Sequence, residues 1–111
     1  MKKFMILYMA PAAEYERMMK NATPEQQKKG MDAWGNWFGS LGAAVIDGGN
    51  PVGKSSTVRS DGSVASDGGA NPVSGYSLIE APNVEDAIKK AKGCPLLGNG
   101  GSVEIAQAMD M

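Results

Sequence analysis

Two carboxylates, one phenol and two cations are the side chains best suited to chemistry on a small molecule. Asp67 stands in Asp67-Gly68-Gly69, where a short carboxylate ahead of glycine is first of all turn chemistry, bonding its own backbone. Placed instead in a water-poor cleft, its pKa would rise and it could transfer a proton. Glu104 lies mid-strand on the side opposite Val103 and Ile105, and a carboxylate on a half-buried sheet face needs a partner. Lys54 and Arg59 are the cations available to it. Tyr76 offers a ring for stacking a ligand, with Lys54 or Arg59 pairing the ligand's acidic group.

Composition narrows what these groups can do. The 111 residues include no histidine, so the usual neutral-pH general base is missing, along with imidazole metal sites and nucleophile dyads. Cys94 is the one cysteine and can form neither an internal disulfide nor a thiolate cluster; it reads as a small buried apolar residue. The eight methionines read as adaptable core filler, and no metal or cofactor is expected. With 11 basic and 12 acidic side chains the net charge is −1, which argues against a nucleic-acid or anionic-membrane partner.

The string Gly48-Gly49-Asn50-Pro51-Val52-Gly53-Lys54-Ser55 satisfies the phosphate-loop pattern G-x-x-x-x-G-K-[ST]. A working phosphate loop must open a helix whose amides face the phosphates. Residues 55–60 favour a strand instead, so the segment is expected to be a loop between strands.

These groups need a frame, and the chain supplies one domain spanning residues 1–111. Its start, Met1-Lys2-Lys3 and an apolar run closed by Pro11, imitates a signal peptide but is too short for one. It reads better as a buried strand over residues 4–9 of a cytoplasmic protein. Residues 12–20 hold a short helical possibility with Tyr15, Met18 and Met19. Thr23, Pro24 and Gln26 then spell a capping box that starts a helix ending near Gly42. Met31, Trp34, Phe38 and Leu41 form its apolar stripe, while Trp37 is directed elsewhere and is expected at a protomer interface. A short strand over 43–46, a strand candidate over 54–60 and an Asp61-Gly62 turn to 63–65 follow. The pattern then gives a strand over 73–81, and a helix capped by Asn83 with Val84, Ala87, Ile88 and Ala91 buried. Residues 102–109 form a last strand with Val103, Ile105 and Met109 on one face.

Strand, helix, two strands with a long hairpin, helix, strand is the α+β, ferredoxin-like βαββαβ pattern, with a four-stranded antiparallel sheet and both helices on one face. Along the first strand Phe4, Ile6 and Tyr8 point one way and Met5, Leu7 and Met9 the other, so both faces of the sheet look buried. The second face is most simply covered by a second copy, in a two-fold homodimer.

Several stretches resemble the YCII-related, or DGPF-domain, family: Lys3-Phe4-Met5-Ile6-Leu7, residues 58–68 with their repeated Asp-Gly, Gly75-Tyr76-Ser77-Leu78-Ile79-Glu80-Ala81, Gly93-Cys94-Pro95 and Gly101-Ser102-Val103-Glu104-Ile105. The resemblance implies a dimeric α/β barrel, two ferredoxin-like protomers packed sheet to sheet. It also implies a His-Asp pair in a cleft for some members. Here Asp67 matches by position, Asp67-Gly68-Gly69 replaces Asp-Gly-Pro-Phe, and the histidine is missing.

Two functional expectations result. One is a small-molecule-binding homodimer with a cleft between its sheets, using Tyr76, Lys54 and Arg59. The other is a cofactor-independent enzyme, isomerase-like or oxygenase-like, with Asp67 or Glu104 as proton-transfer group. Loss of histidine favours the first.

Overall fold

The computed structural model describes residues 1–11, 20–66 and 72–110. Asp67, Tyr15, Met18 and Met19 lie outside the described residues, and so does most of the helical possibility over 12–20. The elements run β1 (Lys2–Met9), α1 (Pro24–Leu41), a 3-10 turn (Gly42–Ala44), β2 (Val45–Asp47), β3 (Thr57–Val58), β4 (Val64–Ala65), β5 (Val73–Ala81), α2 (Val84–Ala91), a second 3-10 turn (Pro95–Asn99) and β6 (Ser102–Gln107).

β2, β5, β1 and β6 form one four-stranded sheet in that order, every neighbouring pair antiparallel. With two helices packed on it, this is an α+β architecture consistent with a ferredoxin-like fold. The strand candidate over 54–60 reduces to Thr57–Val58, which pairs with Val64–Ala65 in a separate two-stranded sheet. Asp61 holds that hairpin's turn: its Oδ1 accepts from the Ser63 amide (2.9 Å) and hydroxyl (2.6 Å), and these bonds hold the exposed carboxyl below its usual pKa.

Alternation along the strands sends Phe4, Ile6 and Tyr8 of β1, with Ser77, Ile79 and Ala81 of β5, into the covered face. Trp37, Ala87, Cys94 and Leu96 close the core from the helical side. The capping box forms as the sequence spells it, Thr23 Oγ1 accepting from the Gln26 amide and Gln26 Oε1 from the Thr23 amide. Asn83 caps α2 through one bond, its Oδ1 accepting from the Asp86 amide at 2.8 Å.

The helix stripes differ from expectation in detail. Met31 is 75% exposed, and burial along α1 begins only at Trp34, with Trp37, Phe38 and Leu41 joining the core. Trp37, expected at a protomer interface, is 6% exposed and belongs to the core, its Nε1–H donating to the Lys90 carbonyl at 3.0 Å. Trp34 is the less buried of the two. Tyr8, Trp34, Trp37 and Phe38 stack as one aromatic cluster, Tyr8 meeting Trp34 edge-on with 5.0 Å between ring centres. On α2 only Ala87 and Ala91 are buried, while Val84 and Ile88 stay exposed. β6 stops at Gln107, so Met109 lies beyond the strand, exposed.

No helix among the described residues is long and apolar enough to cross a membrane.

Candidate functional site

Among the described residues, no helix or strand lies over the face of the sheet turned away from the helices. The side chains that alternate onto it include Met5, Leu7 and Met9 from β1, Tyr76 and Leu78 from β5, and Glu104 from β6. Met5 is 41% exposed, while Leu7, Met9, Tyr76 and Leu78 are half-buried. The register arranges them in rows. Leu7 pairs with Tyr76 on one side and Glu104 on the other, and Met5 pairs with Leu78 and Ala106. Tyr76 and Glu104 therefore share a row with Leu7 between them, their α-carbons about 10 Å apart. The structure brings these two sequence-predicted residues onto one surface.

The phenol of Tyr76 is placed by the loop after β2. Asp47 Oδ1 accepts from the Gly49 amide at 2.8 Å, and this Asx turn bends the chain back along β5. Beyond it the Tyr76 amide donates to the Asn50 carbonyl at 3.3 Å and the Val52 amide to the Ser74 carbonyl at 3.0 Å. Asn50 Nδ2 then donates to Tyr76 Oη at 3.3 Å. The phenol accepts in that bond, so its own hydrogen is left to donate to an acceptor on a ligand. Sequence reasoning missed Asn50; the run Asp47-Gly48-Gly49-Asn50 after a short strand was the signal available for it.

The same bonds settle the phosphate-loop string. No helix follows Lys54, and the Gly49 and Val52 amides are spent on Asp47 and Ser74. The segment is the connection between β2 and β3, as the strand-like residues after it predicted.

Lys54 and Arg59 do not meet Glu104. Both are exposed, Lys54 in the β2–β3 connection and Arg59 just after β3. Arg59 Nη1 donates to Ser63 Oγ at 3.2 Å across its own hairpin. The ion pair among the described residues is Lys90 with Asp86, one turn apart on α2, so the expected Glu104 partnership does not form within a single chain. Glu104 itself is exposed on the open face.

Beneath this face lies a buried polar chain with no signature in the residue pattern. Ser77 Oγ donates to the Gly48 carbonyl at 2.7 Å. Having given its one hydrogen there, Ser77 accepts from Tyr8 Oη at 2.7 Å, so the order is Tyr8 O–H to Ser77 O–H to Gly48 C=O. Burial pushes the Tyr8 pKa up to about 12. Burial raises the Cys94 thiol as well.

Two open grooves lie elsewhere. One, of about 300 Å³, runs between α2 and β6; the other, of about 430 Å³, lies between the end of α1 and α2 beside Trp37 and Lys89. Neither contains Tyr76 or Glu104. No protein-family model matches the chain, and no curated protein sequence matches it.

Proposed function

We propose that this chain is a small-molecule-binding protein of the YCII-related type, working as a cytoplasmic homodimer in which two copies lay their open sheet faces together as a dimeric α/β barrel and enclose a cleft between them. The observation that carries the reading is the row Tyr76–Leu7–Glu104 beside the row Leu78–Met5–Ala106. It is a continuous surface, apolar through its middle, with a phenol donor at one side and a carboxylate at the other. Removing Met5, Leu7 and Leu78 from water supplies the drive for association, at about 25 cal/mol for each Å² of apolar surface. Tyr76, held by Asn50, then stacks on the ligand and donates to it. Lys54 and Arg59, neither in an ion pair among the described residues, supply positive charge from the β2–β3 side for an acidic group. A small organic acid with a flat apolar portion is the class that fits.

Two measurements test this. Sedimentation at micromolar concentration should give a dimer or larger assembly, and Leu7→Asp should halve the mass, because a charge on the sheet face cannot be buried unpaired. A thermal-shift screen of aromatic and aliphatic carboxylic acids should then find a stabilising compound whose effect Tyr76→Ala removes. A wild-type monomer, or a stabilising acid that ignores Tyr76→Ala, defeats the reading.

A further inference from the structure

The two edges of the sheet are built differently. At one edge β2 is three residues long, its register with β5 breaks between Val45 and Asp47, and Pro51 bridges to Gly75 just beyond. Shortness, irregularity and proline are the features by which proteins keep an edge from pairing. The opposite edge has none of them. β6 runs six residues, Ser102-Val103-Glu104-Ile105-Ala106-Gln107, in unbroken register with β1 and without proline, lysine or bulge.

The ladder shows which of its backbone groups are unused. Ala108 donates its amide to the Lys3 carbonyl at 2.9 Å, so alternate residues Ala106, Glu104 and Ser102 face β1. Val103, Ile105 and Gln107 thus point their N–H and C=O groups outward, and β6 has no further strand beside it among the described residues. Alongside this edge lies the groove of about 300 Å³ formed by Ile88, Ala91, Lys92, Leu97, Val103 and Ile105. Ile88 and Leu97 are each 42% exposed.

We infer that β6 is a self-pairing edge, at which a second copy of this chain adds its own β6 antiparallel to continue the sheet. The register follows from the charges. With Ile105 opposite Ile105 on the two-fold axis, Val103 faces Gln107 and all the outward groups find partners. Glu104 then lies opposite Ala106. A shift that set Glu104 against Glu104 would oppose like charges at the closest cross-strand separation, which is unfavourable. In the chosen register Val103 and Ile105 of both copies form one apolar row on the helical side, and the partner covers the exposed Ile88 and Leu97. The edge is distinct from the open face and does not depend on the pairing proposed there; with both in use the chain assembles beyond a dimer.

The test is amide hydrogen exchange combined with mass. Protection of the Ile105 and Gln107 amides should rise with protein concentration over the micromolar range, while Glu104 and Ala106, bonded to β1, stay constant. Gln107→Pro removes one outward donor and leaves the ladder to β1 intact, since proline is tolerated where an edge N–H faces outward; it should halve the mass of both wild type and Leu7→Asp. If Leu7→Asp is monomeric and its Ile105 amide exchanges freely at every concentration, the edge inference is overturned and the face reading survives. If Leu7→Asp leaves the mass unchanged while Gln107→Pro halves it, the edge stands and the face reading falls. Should Gln107→Pro fail to fold, exchange in the wild type decides alone. Ile105 and Gln107 protected only after mixing with an unrelated protein, and never by dilution-sensitive self-association, would assign the edge to a foreign strand and overturn the inference.

Discussion

Gly49 lies directly against the backbone of Tyr76: a Cβ at this position would overlap the Tyr76 carbonyl oxygen and carbon. Its φ of 72° is also one that side chains rarely adopt. The loop that orients the Tyr76 phenol thus depends on a residue with no side chain at its closest approach.

Gly49→Ala should therefore destabilise the protein by about 2–3 kcal/mol, since the loop must lift off β5 to make room. It should also weaken any ligand response that uses Tyr76. Gly48→Ala, one residue earlier with open space around it, is the control and should change stability by less than about 1 kcal/mol. Chemical denaturation of the two variants checks the contrast; equal losses would remove the steric account.

The direction of the buried chain from Tyr8 through Ser77 to Gly48 makes its two ends unequal. Tyr8→Phe removes a donor but leaves Ser77 bonded to Gly48, and should cost about 1 kcal/mol. Ser77→Ala strands the Tyr8 hydroxyl in the interior and should cost about 2 kcal/mol or more, although it too removes a single oxygen. Urea midpoints at constant slope read the order, and the reverse order would show that the hydrogens run the other way.

Tyr8 also sets a limit at alkaline pH. Its folded pKa, about 12, lies above the ordinary tyrosine value of 10.0. The neutral form is favoured in the folded state, so this contribution to stability is complete below pH 10 and is lost as the pH rises through about 12. Wild type should lose stability across that window more steeply than Tyr8→Phe, measured by urea unfolding at stepped pH.

Gly35 and Gly39 occupy the interior of α1 with nothing within 4 Å of an added Cβ and without positive φ. Each should become more stable by about 0.5–1 kcal/mol on substitution by alanine, through helix propensity and a less flexible unfolded chain. Thermal melts of the single variants test this, and a loss would mean that the helix surface meets a partner there.

Much of this frame could be read from residue patterns. The order of strands and helices, the capping box at Thr23, the N-cap at Asn83, and the opposed faces of β1 all follow local rules, such as alternation and the reach of a side chain to a nearby amide. Local rules fail where the answer depends on how far one element overlaps another. Met31 and Ile88 sit at apolar helical positions and yet stay exposed, because helical periodicity does not say which turns of a helix overlap the core. Trp37 was misplaced for a related reason: a stripe drawn through Trp34 ignores that the Lys90 carbonyl, 53 residues away in sequence, awaits its indole N–H. For the site, residue type and strand position were enough to pick Tyr76 and Glu104. Their shared row required the register of three strands, and the Asn50 contact required the path of a loop.

The clustering of Tyr8, Trp34, Trp37 and Phe38 where the later part of α1 crosses the sheet has a spectroscopic consequence. Both tryptophans of the chain are there, so its intrinsic emission is a local gauge of one junction. Excited Tyr8 transfers its energy to Trp34 rather than emitting. Emission will report the parting of helix from sheet, and it will be silent when the β3–β4 hairpin opens or the exposed first turns of α1 fray.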